Sequence, residues 1–579
     1  MTIPRHMARL LLLLALGARQ ALGTAPQRPE YPWEGALAPS RPTRDLSHGN
    51  TREMPQDLGP FCWLREYEAI CGFLADWQVQ NPASANHGGM IEAEAGPLGN
   101  VIQTDNTLEA IWVWSARRAW TDRADHDANI QAAWIYCDRF PAWAEEGSVG
   151  DNYYRAHNCA WGLAACQAYE AATGDTTRRA YARTCGNYIA THPLSLSNAN
   201  SLNAMVTGWC AGSLHDAALW MNRVDWREAS REQGLDLLDF VEENPAQWLA
   251  WDEWAMSGGT MLWGLCRSVF TDAPLYGEQW LQDHVFQVPD WSDWHNVAGY
   301  DWDGSWNVAY ANGLFAVADA VGDPVSAERA RIMVGGLLSL DTDDDGGIRA
   351  DSQDPDTEDM SWVSCYLARF GLARLVGTPP TRDAMPLRLH GLRDESVVVQ
   401  GQPLQLAVVV ANAGVEDLAS VTVELEVDGQ LHAQVSALSY GALDTLWMSN
   451  WTPQTGGRHR LVLRTICAQD EVPVNDLLEV DLLALAPPVA QASPREKAAP
   501  WARLRGGVLE LESPCAGKAV VEVVNLLGQR VGSFTRDLPA GRLQSVPLRD
   551  QLPALATGRY LLRVETEGQA MVLPFTRLP

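Results

Sequence analysis

The sequence has few basic residues, and this shortage limits the partners that the chain can bind. It contains 43 Lys and Arg against 72 Asp and Glu, which gives a formal net charge of −29 at pH 7. So large an excess of negative charge repels nucleic acid and anionic membranes. The composition argues against both as partners, and it is compatible with calcium, a neutral sugar polymer or a cationic surface.

The 11 cysteines include no CxxC pair and no zinc-like spacing. That absence argues against the common zinc and thiol redox sites. Their number is also small for a disulfide framework in so long a chain. We therefore expect most of them to be buried free thiols that pack as small apolar groups.

Long apolar runs are missing after the N-terminus, so no membrane span is predicted for the mature chain. Residues 1–23 have the pattern of a secretory signal peptide. Arg5 and Arg9 form a basic start before an apolar core, and residues 21–23 form a small-residue cleavage site. Residues 24–54 are interpreted as a linker. The pattern predicts an exported protein, secreted or attached to the cell surface.

Residues 55–378 alternate two kinds of predicted helix at a spacing of roughly 50 residues. Nearly all-apolar helices, typical of burial on every side, are predicted at 104–119, 152–173, 203–222, 252–270, 304–321 and 357–376. Amphipathic helices are predicted at 58–79, 126–140, 176–190, 226–243, 276–286 and 324–339. The two kinds fit an (α/α)6 toroid, in which an inner ring of six helices lies inside an outer ring of six. That arrangement buries the apolar helices on every side and the apolar faces of the amphipathic helices. Short turns led by Asp join many of them, which suggests N-caps.

Two stretches of this region resemble each other. His87-Gly88-Gly89-Met90 is followed by Thr104-Asp105 and Trp112, and Asp345-Gly346-Gly347-Ile348 is followed by Glu358-Asp359 and Trp362. The second copy resembles the repeats of terpenoid cyclase and prenyltransferase toroids, and those of toroidal polysaccharide lyases and six-hairpin glycosidases. The resemblance implies the toroid fold and selects no reaction.

Two small all-β sandwiches are predicted after the toroid. Residues 386–485 alternate apolar and polar positions, as strands do. They resemble the CARDB family of immunoglobulin-like domains, and the resemblance implies a spacer or adhesion domain without catalytic activity. The carriers of that resemblance are Asn412-Ala413-Gly414, Val427-Asp428-Gly429, Trp451-Thr452-Pro453, Gly457-Arg458-His459 and Asn475-Asp476. Residues 486–500 are a Pro- and Ala-rich linker.

Residues 501–579 resemble the C-terminal sorting domain of the bacterial type IX secretion system. The resemblance rests on Asn525-Leu526-Leu527-Gly528-Gln529-Arg530-Val531 and on Gly558-Arg559-Tyr560. The usual Asn-Pro start is replaced by Glu512-Ser513-Pro514. The resemblance implies bacterial export by the type IX machinery, followed by release or surface attachment.

The segment 290–306, DWSDWHNVAGYDWDGSW, interleaves carboxylates with aromatic rings, which is how a glycan cleft is built. Predicted sugar-contacting residues are Trp291, Trp294, His295, Trp302 and Trp306. Glycoside cleavage needs two carboxyl groups on opposite sides of one bond. Candidates at the starts of inner helices are Asp105, Asp151, Asp252, Glu253 and Asp303, of which Asp105, Asp252 and Asp303 are preferred as catalytic. Any one of them can instead be a helix cap, and His157 can tune protons or simply pack.

The segment 341–354, DTDDDGGIRADSQD, matches the first eight positions of a calcium loop. The predicted metal ligands are Asp341, Asp343, Asp345 and the carbonyl of Gly347, whereas Ser352 stands where the template has Glu. A solvated acidic turn is the alternative. Asp341-Thr342-Asp343-Asp344 also matches the Asp-x-Asp-Asp acid of class II terpenoid cyclases, although the polar setting argues against a cyclase.

Two functional hypotheses remain open. The first is an exported carbohydrate-active toroid that hydrolyses glycosidic bonds of a polysaccharide. A lyase is less favoured, because the predicted mouth loops offer few Lys or Arg. The second is a non-catalytic protein that adheres to, or binds, a surface glycan. No catalytic motif specific to one family separates the two.

Overall fold

The computed structural model describes residues 59–144, 153–196, 201–243, 254–271, 307–350 and 359–485, and most of 502–577. The chain divides into two compact units between Pro487 and Pro488. The first unit holds the helical region and an immunoglobulin-like sandwich, and the second unit is a smaller β-structure.

The described helices of the first unit fall where the two kinds of periodicity predict them. In chain order they are α1 (Trp63–Asp76), α2 (Thr104–Thr121), α3 (Asp127–Arg139), α4 (Tyr153–Thr173), α5 (Arg179–Thr191), α6 (Ser201–Met221), α7 (Val224–Glu243), α8 (Trp254–Ser268), α9 (Asn307–Val321), α10 (Pro324–Leu338) and α11. The last of these, α11, runs from Ser361–Tyr366 through a π-helical turn at Leu367–Leu372 to Ala373–Val376.

The near-apolar helices form a closed inner ring. α2, α4, α6, α8, α9 and α11 each pack against the next, and α11 returns to α2. The amphipathic helices α1, α3, α5, α7 and α10 pack on the outside of this ring. The structure is therefore the predicted α/α toroid. The sixth predicted outer helix, 276–286, lies outside the described residues.

The two Gly-Gly pairs occupy equivalent places in the ring. Gly88 has φ +85°, and a Cβ there would lie 1.8 Å from the carbonyl oxygen of Ala132 in α3. Gly346 has φ +94°, and its Cβ would lie 2.2 Å from the carbonyl carbon of Ala69 in α1. Both positions combine a left-handed backbone with close contact to an outer helix, so only glycine fits. The repeated Gly-Gly pair therefore has a structural role, which is to bring the connection into contact with an outer helix.

The first and last connections of the ring are joined to each other, and we call this the mouth strap: residues 90–94, 102–103, 348–349 and 359–361. Strand β1 (Met90–Ile91) pairs with β2 (Ile102–Gln103), and single bridges join Ala93 to Met360 and Arg349 to Asp359. The strap lies beside the start of α11, because the amide of Ser361 donates to the carbonyl oxygen of Glu92 at 2.9 Å.

The Asp-led turns do not all work as N-caps. Asp323 does, since its carboxylate accepts from the amides of Val325 and Ser326, with Pro324 at the first helical position. Asp122 instead ends α2 in the left-handed conformation, with φ 54°. Asp and Asn tolerate that conformation better than most residues, so the same residue type can end a helix as well as begin one.

The sandwich of the first unit packs two sheets face to face. Its strands are β3 (Ala384–Leu389), β4 (Val397–Val399), β5 (Leu404–Asn412), β6 (Leu418–Val427), β7 (Gln430–Leu438), β8 (Leu443–Trp451), β9 (Gly457–Cys467) and β10 (Leu477–Leu485). One sheet has the order β4-β10-β9-β6-β7 and the other the order β3-β5-β8. Alternate apolar side chains of β5, β6 and β9 form the core between them.

Three of the motifs that carry the CARDB resemblance meet in one hydrogen-bonded cluster. Trp451 Nε1 donates to Asp428 Oδ2 at 3.0 Å, and His459 Nδ1 lies 2.8 Å from Asp428 Oδ1. These residues come from three separate turns and strands. The cluster therefore joins the β6–β7 turn to the ends of β8 and β9, which explains why the motifs occur together.

The sandwich shares buried residues with the toroid. Cys62, before α1, is buried with Met385, Leu387, Val409 and Ala411 of strands β3 and β5. Nearby, the Tyr440 hydroxyl donates to the Glu68 carboxylate of α1, and the guanidinium of Arg123 lies 4.1 Å from the centre of the Tyr440 ring. The immunoglobulin-like domain is thus packed onto the toroid through both apolar and charged contacts.

The second unit contains two further sheets. Its described elements are β11 (Ala502–Arg505), β12 (Val508–Leu511), β13 (Gly517–Asn525), β14 (Arg530–Leu538), β15 (Gln544–Pro547), the short helix α12 (Leu548–Gln551), β16 (Gly558–Thr566) and β17 (Gln569–Arg577). The sheet orders are β11-β12-β15 and β14-β13-β16-β17. The chain is therefore a helical toroid followed by β-structure in two parts, as predicted.

Two expectations about the whole chain can be checked on the described residues. None of the described helices is long and apolar enough to cross a membrane. All of the described cysteines except Cys467 are buried. The thiols pack as apolar groups in the described part of the chain.

Candidate functional site

Asp105 is the predicted catalytic residue that the structure describes. It lies in the first turn of α2, and only 6% of its surface is exposed. The other two predicted catalytic residues, Asp252 and Asp303, lie outside the described residues. So do the predicted sugar-contacting residues, which are Trp291, Trp294, His295, Trp302 and Trp306.

A chain of hydrogen bonds connects Asp105 to a second carboxyl group. The Tyr154 hydroxyl, from the first turn of α4, lies 3.0 Å from Asp105 Oδ2 and 2.5 Å from Gln103 Oε1. Gln103 Nε2 in turn donates to Glu92 Oε2 at 3.2 Å. The backbone amide of Asn106 also donates to Asp105. Two carboxyl groups of the first helical repeat are therefore held by one amide of the same repeat and one phenol of the next.

A histidine extends this network across the ring. His157 Nδ1 lies 3.9 Å from Asp105 Oδ2 and 3.3 Å from Asn158 Oδ1, and its Nε2 lies 3.2 Å from the Tyr366 hydroxyl of α11. Burial lowers the pKa of His157 to about 4. The imidazole is therefore neutral at physiological pH, and it hydrogen-bonds Asn158 and Tyr366 while its Nδ1 stays beyond hydrogen-bonding distance of Asp105.

Two glutamates beside Asp105 are kept in the protonated form. Burial, followed by the negative charge of Asp105, raises the pKa of Glu92 to about 8. The same two causes raise the pKa of Glu109 well above its ordinary value, against the opposing charge of Arg369. Glu109 lies one turn after Asp105 on α2, and its Oε2 has no hydrogen-bond partner. The site thus combines two neutral carboxylic acids with Asp105.

Replacing Glu109 by Gln should remove a pH-dependent destabilisation. A raised pKa in the folded state means that the free energy of unfolding falls as pH rises above the ordinary value near 4.5. Glu109→Gln should therefore be more stable than the wild type at about pH 8, with the difference shrinking towards pH 4.5. Urea denaturation at several pH values measures this.

Glu228→Gln, at an exposed position of α7, is the matched control and should follow the wild type at every pH. Parallel curves for Glu109→Gln and the wild type would contradict the burial of a titrating carboxyl group at this position.

Aromatic side chains of three inner helices pack against one another inside the ring. Trp161, Trp209 and Phe370 contact one another, with ring centres 4.8–5.8 Å apart. The guanidinium of Arg369 lies 4.5 Å from the Trp161 ring and 4.6 Å from the Trp209 ring. Burial lowers the pKa of Arg369 to about 9, although it still carries its charge at neutral pH.

The predicted metal ligands lie on the loop that leads into the mouth strap. Ligand oxygens of Asp341, Asp343 and Asp345 all fall within 4.8 Å of one another. Gly347 is buried, and its amide donates to Asp345 Oδ1 at 2.7 Å. The structure brings these residues together on the loop between α10 and α11, apart from the Asp105 network.

Several residues of the network carry no sequence signal of their own. Glu109 was detectable in principle, because it follows Asp105 by four positions and shares its helix face. Glu92 lies in a short irregular stretch, and its partners become neighbours only when the ring closes. Tyr154 and Tyr366 look like ordinary aromatic residues of buried helices. Periodicity assigns such residues to the core, so it does not distinguish a hydroxyl that faces a carboxylate.

No protein-family model matches the chain, and no curated protein matches its sequence. Solved structures do resemble parts of it. An unsaturated glucuronyl hydrolase from a Bacillus species is 12% identical, covering 54% of this chain and 97% of its own, with a TM-score of 0.39. A GH76 α-mannanase from Bacteroides thetaiotaomicron is 10% identical over 54% of this chain and 96% of its own, with a TM-score of 0.38.

A CARDB domain from Pyrococcus furiosus, solved in complex with di-metal ions, is 19% identical. It covers 18% of this chain and 90% of its own, with a TM-score of 0.16. All of these proteins differ from the chain at most positions. Its chemistry must therefore be argued from its own side chains.

Proposed function

We propose that this chain is a carbohydrate-active enzyme that hydrolyses glycosidic bonds of a polysaccharide at the mouth of the toroid. One observation carries the proposal: a hydrogen-bonded chain joins Asp105 to Glu92, and Glu92 stays protonated because burial and Asp105 raise its pKa to about 8. Glycoside hydrolysis requires two neighbouring carboxyl groups, of which one is kept protonated as the acid.

The roles follow from the protonation states. Glu92 donates its proton to the glycosidic oxygen as the bond to the sugar breaks, so that the leaving group departs as an alcohol. Asp105, as the base or nucleophile, either takes a proton from the attacking water or bonds to the sugar before water releases it. Tyr154 and Gln103 are positioning residues, because they hold both carboxyl groups. Asp252 and Asp303 remain proposed alternatives for the second carboxylate.

The test is a panel of polysaccharides assayed for released reducing ends and for unsaturated products. The wild type should release reducing ends from at least one polymer, and Asp105→Asn should lower the rate by about 10²–10⁴-fold. Asp303→Asn, assayed alongside, decides whether the second carboxylate comes from that residue or from Glu92. Unsaturated products would identify a lyase.

Asp127→Asn is the matched control, since Asp127 is also an aspartate in the first turn of a helix, but of outer helix α3. Its rate should equal that of the wild type. An Asp105→Asn variant with wild-type activity would rule out this assignment of the site.

A second candidate function is glycan binding without catalysis. The observation in its favour is the packed aromatic layer of Trp161, Trp209 and Phe370 inside the ring. A toroid whose interior is closed in this way has less room for a buried polymer. Polymer binding by calorimetry without released reducing ends, in the wild type, would favour this function.

The proposed place of action is outside the cell. The support is the signal-peptide pattern of residues 1–23 and the similarity of residues 525–531 and 558–560 to type IX sorting domains. The type IX machinery is therefore the proposed export partner, and a polysaccharide or surface glycan is the proposed substrate.

A further inference from the structure

We propose that the loop of residues 341–347 and the side chain of Asp359 together bind one calcium ion. Ligand oxygens of Asp341, Asp343 and Asp345 all lie within 4.8 Å of one another. Calcium holds its oxygen ligands at about 2.3–2.6 Å, so two ligands on opposite sides of one ion are about 5 Å apart. A single calcium ion can therefore contact all three carboxylates without rearrangement of the loop.

The independent observation is Asp359, which lies on a different segment of the mouth strap. It is 1% exposed, and its Oδ1 accepts no hydrogen bond. A buried carboxylate without such partners is costly unless a cation lies beside it. Asp359 supplies the acid that the loop itself lacks, because Ser352 occupies the position where a calcium loop has its final Glu.

Gly347 places this carboxylate next to the loop. A Cβ on Gly347 would lie 2.5 Å from the Asp359 Cβ and 2.9 Å from Asp345 Oδ1. The Cβ of Asp359 and the Oδ1 of Asp345 therefore both lie beside Gly347, which has no side chain to separate them. Asp345 and Asp343 are the negative charges that act most strongly on Asp359.

The nearby arginines neutralise these acids only in part. Arg349 forms an ion pair with Asp359, but the distance of 3.7 Å between its Nε and Asp359 Oδ1 is too long for a hydrogen bond. Arg65 Nη2 lies 2.9 Å from Asp344 Oδ1, but the same guanidinium also pairs with Glu66. The ion pairs of these two arginines involve Glu66, Asp344 and Asp359, and not the three clustered carboxylates of the loop. A divalent cation is thus the group that would balance this cluster, and an all-carboxylate set favours calcium over zinc.

The position of the ion gives it a structural consequence. The carbonyl oxygen of Asp359 accepts from the Glu94 amide, and the amide of Met360 donates to the carbonyl oxygen of Ile348. Calcium would therefore join the loop 341–347 to the segment 359–361. That segment is hydrogen-bonded to residues 92–94 of the first connection of the ring. It would thereby stabilise the mouth strap.

The test uses the full chain after chelator treatment, with calcium chloride titrated by calorimetry and melting followed in parallel. The wild type should bind one calcium ion and melt at a higher temperature with calcium than with chelator. Asp343→Asn and Asp359→Asn should bind calcium about tenfold more weakly, or worse. Without calcium, Asp359→Asn should melt close to the wild-type temperature, because it removes a buried carboxylate whose Oδ1 accepts no hydrogen bond.

Asp344→Asn is the matched control, because Asp344 belongs to the same loop and pairs with Arg65 rather than joining the cluster. Its φ of 66° also suits Asn. Its calcium affinity should equal that of the wild type. An equal loss of calcium affinity in Asp344→Asn and Asp343→Asn would overturn the site, because it would indicate non-specific attraction of calcium to the negative charge of the loop. An equal response to magnesium and calcium would overturn it for the same reason. A wild type without binding heat or melting shift would also overturn it.

Discussion

Glu92→Gln should lower kcat/KM on a natural polysaccharide by about 10²–10⁴-fold, because glutamine has no acidic proton to give to the leaving oxygen. Glutamine keeps the size of the side chain and can still hydrogen-bond Gln103, so the fold should be unaffected. An aryl glycoside with an activated leaving group needs little protonation. Its hydrolysis should therefore be lowered far less than that of the polymer.

The dependence of activity on pH is a second test of Glu92 as the catalytic acid. Glu92 acts as an acid only while protonated, so wild-type activity should fall as pH rises through about 8. Glu92→Gln should lose this alkaline limb. Glu94→Gln, two positions further along the same segment, is the matched control and should retain both the rate and the limb. Unchanged polymer hydrolysis in Glu92→Gln would remove Glu92 from the reaction.

Arg117→Met should lower the free energy of unfolding by about 3–5 kcal/mol, which is the usual effect of removing one partner from a buried ion pair. Arg117 is 3% exposed on α2. Its Nε lies 2.8 and 2.9 Å from the two oxygens of Glu68, and its Nη2 lies 2.8 Å from Asp125 Oδ2. Methionine preserves much of the volume but leaves Glu68 without its cation.

Chemical denaturation followed by tryptophan fluorescence measures this loss. Arg118→Met is the matched control, because the neighbouring Arg118 pairs with the exposed Asp122 and should lose no more than about 1 kcal/mol. The double variant Arg117→Met, Glu68→Gln should recover part of the loss, since the orphaned charge is gone. Equal stabilities of Arg117→Met and Arg118→Met would show that the junction of toroid and sandwich does not depend on this pair.

The helical architecture was predictable from sequence because an inner helix is buried on every side, and its sequence is therefore apolar at nearly every position. The predicted helix at 104–119 is observed as Thr104–Thr121, and that at 324–339 as Pro324–Leu338. Asp105 was found by the same logic, as an acid at the start of an inner helix. The turn chemistry was less predictable, because Asp122 ends a helix where an N-cap was expected.

The remainder of the site depends on contacts that local patterns do not encode. Glu92 has no periodicity around it, and its protonation results from burial beside Asp105. Tyr366 becomes informative only because His157 lies 3.2 Å from its hydroxyl, across the ring. In contrast, Asp341, Asp343 and Asp345 were recognisable as a group, because all three belong to one short loop.

The mouth strap also sets the order in which the protein can fold. Its contact between Glu92 and Ser361 joins positions 269 residues apart, so the strap can form only after the intervening helical hairpins have brought these segments together. Contacts of such long sequence separation form late and slowly. A nascent or truncated chain would hold most of its helices and yet lack an assembled Glu92–Asp105 pair. If the proposed site is catalytic, its activity would then begin only with the completed ring.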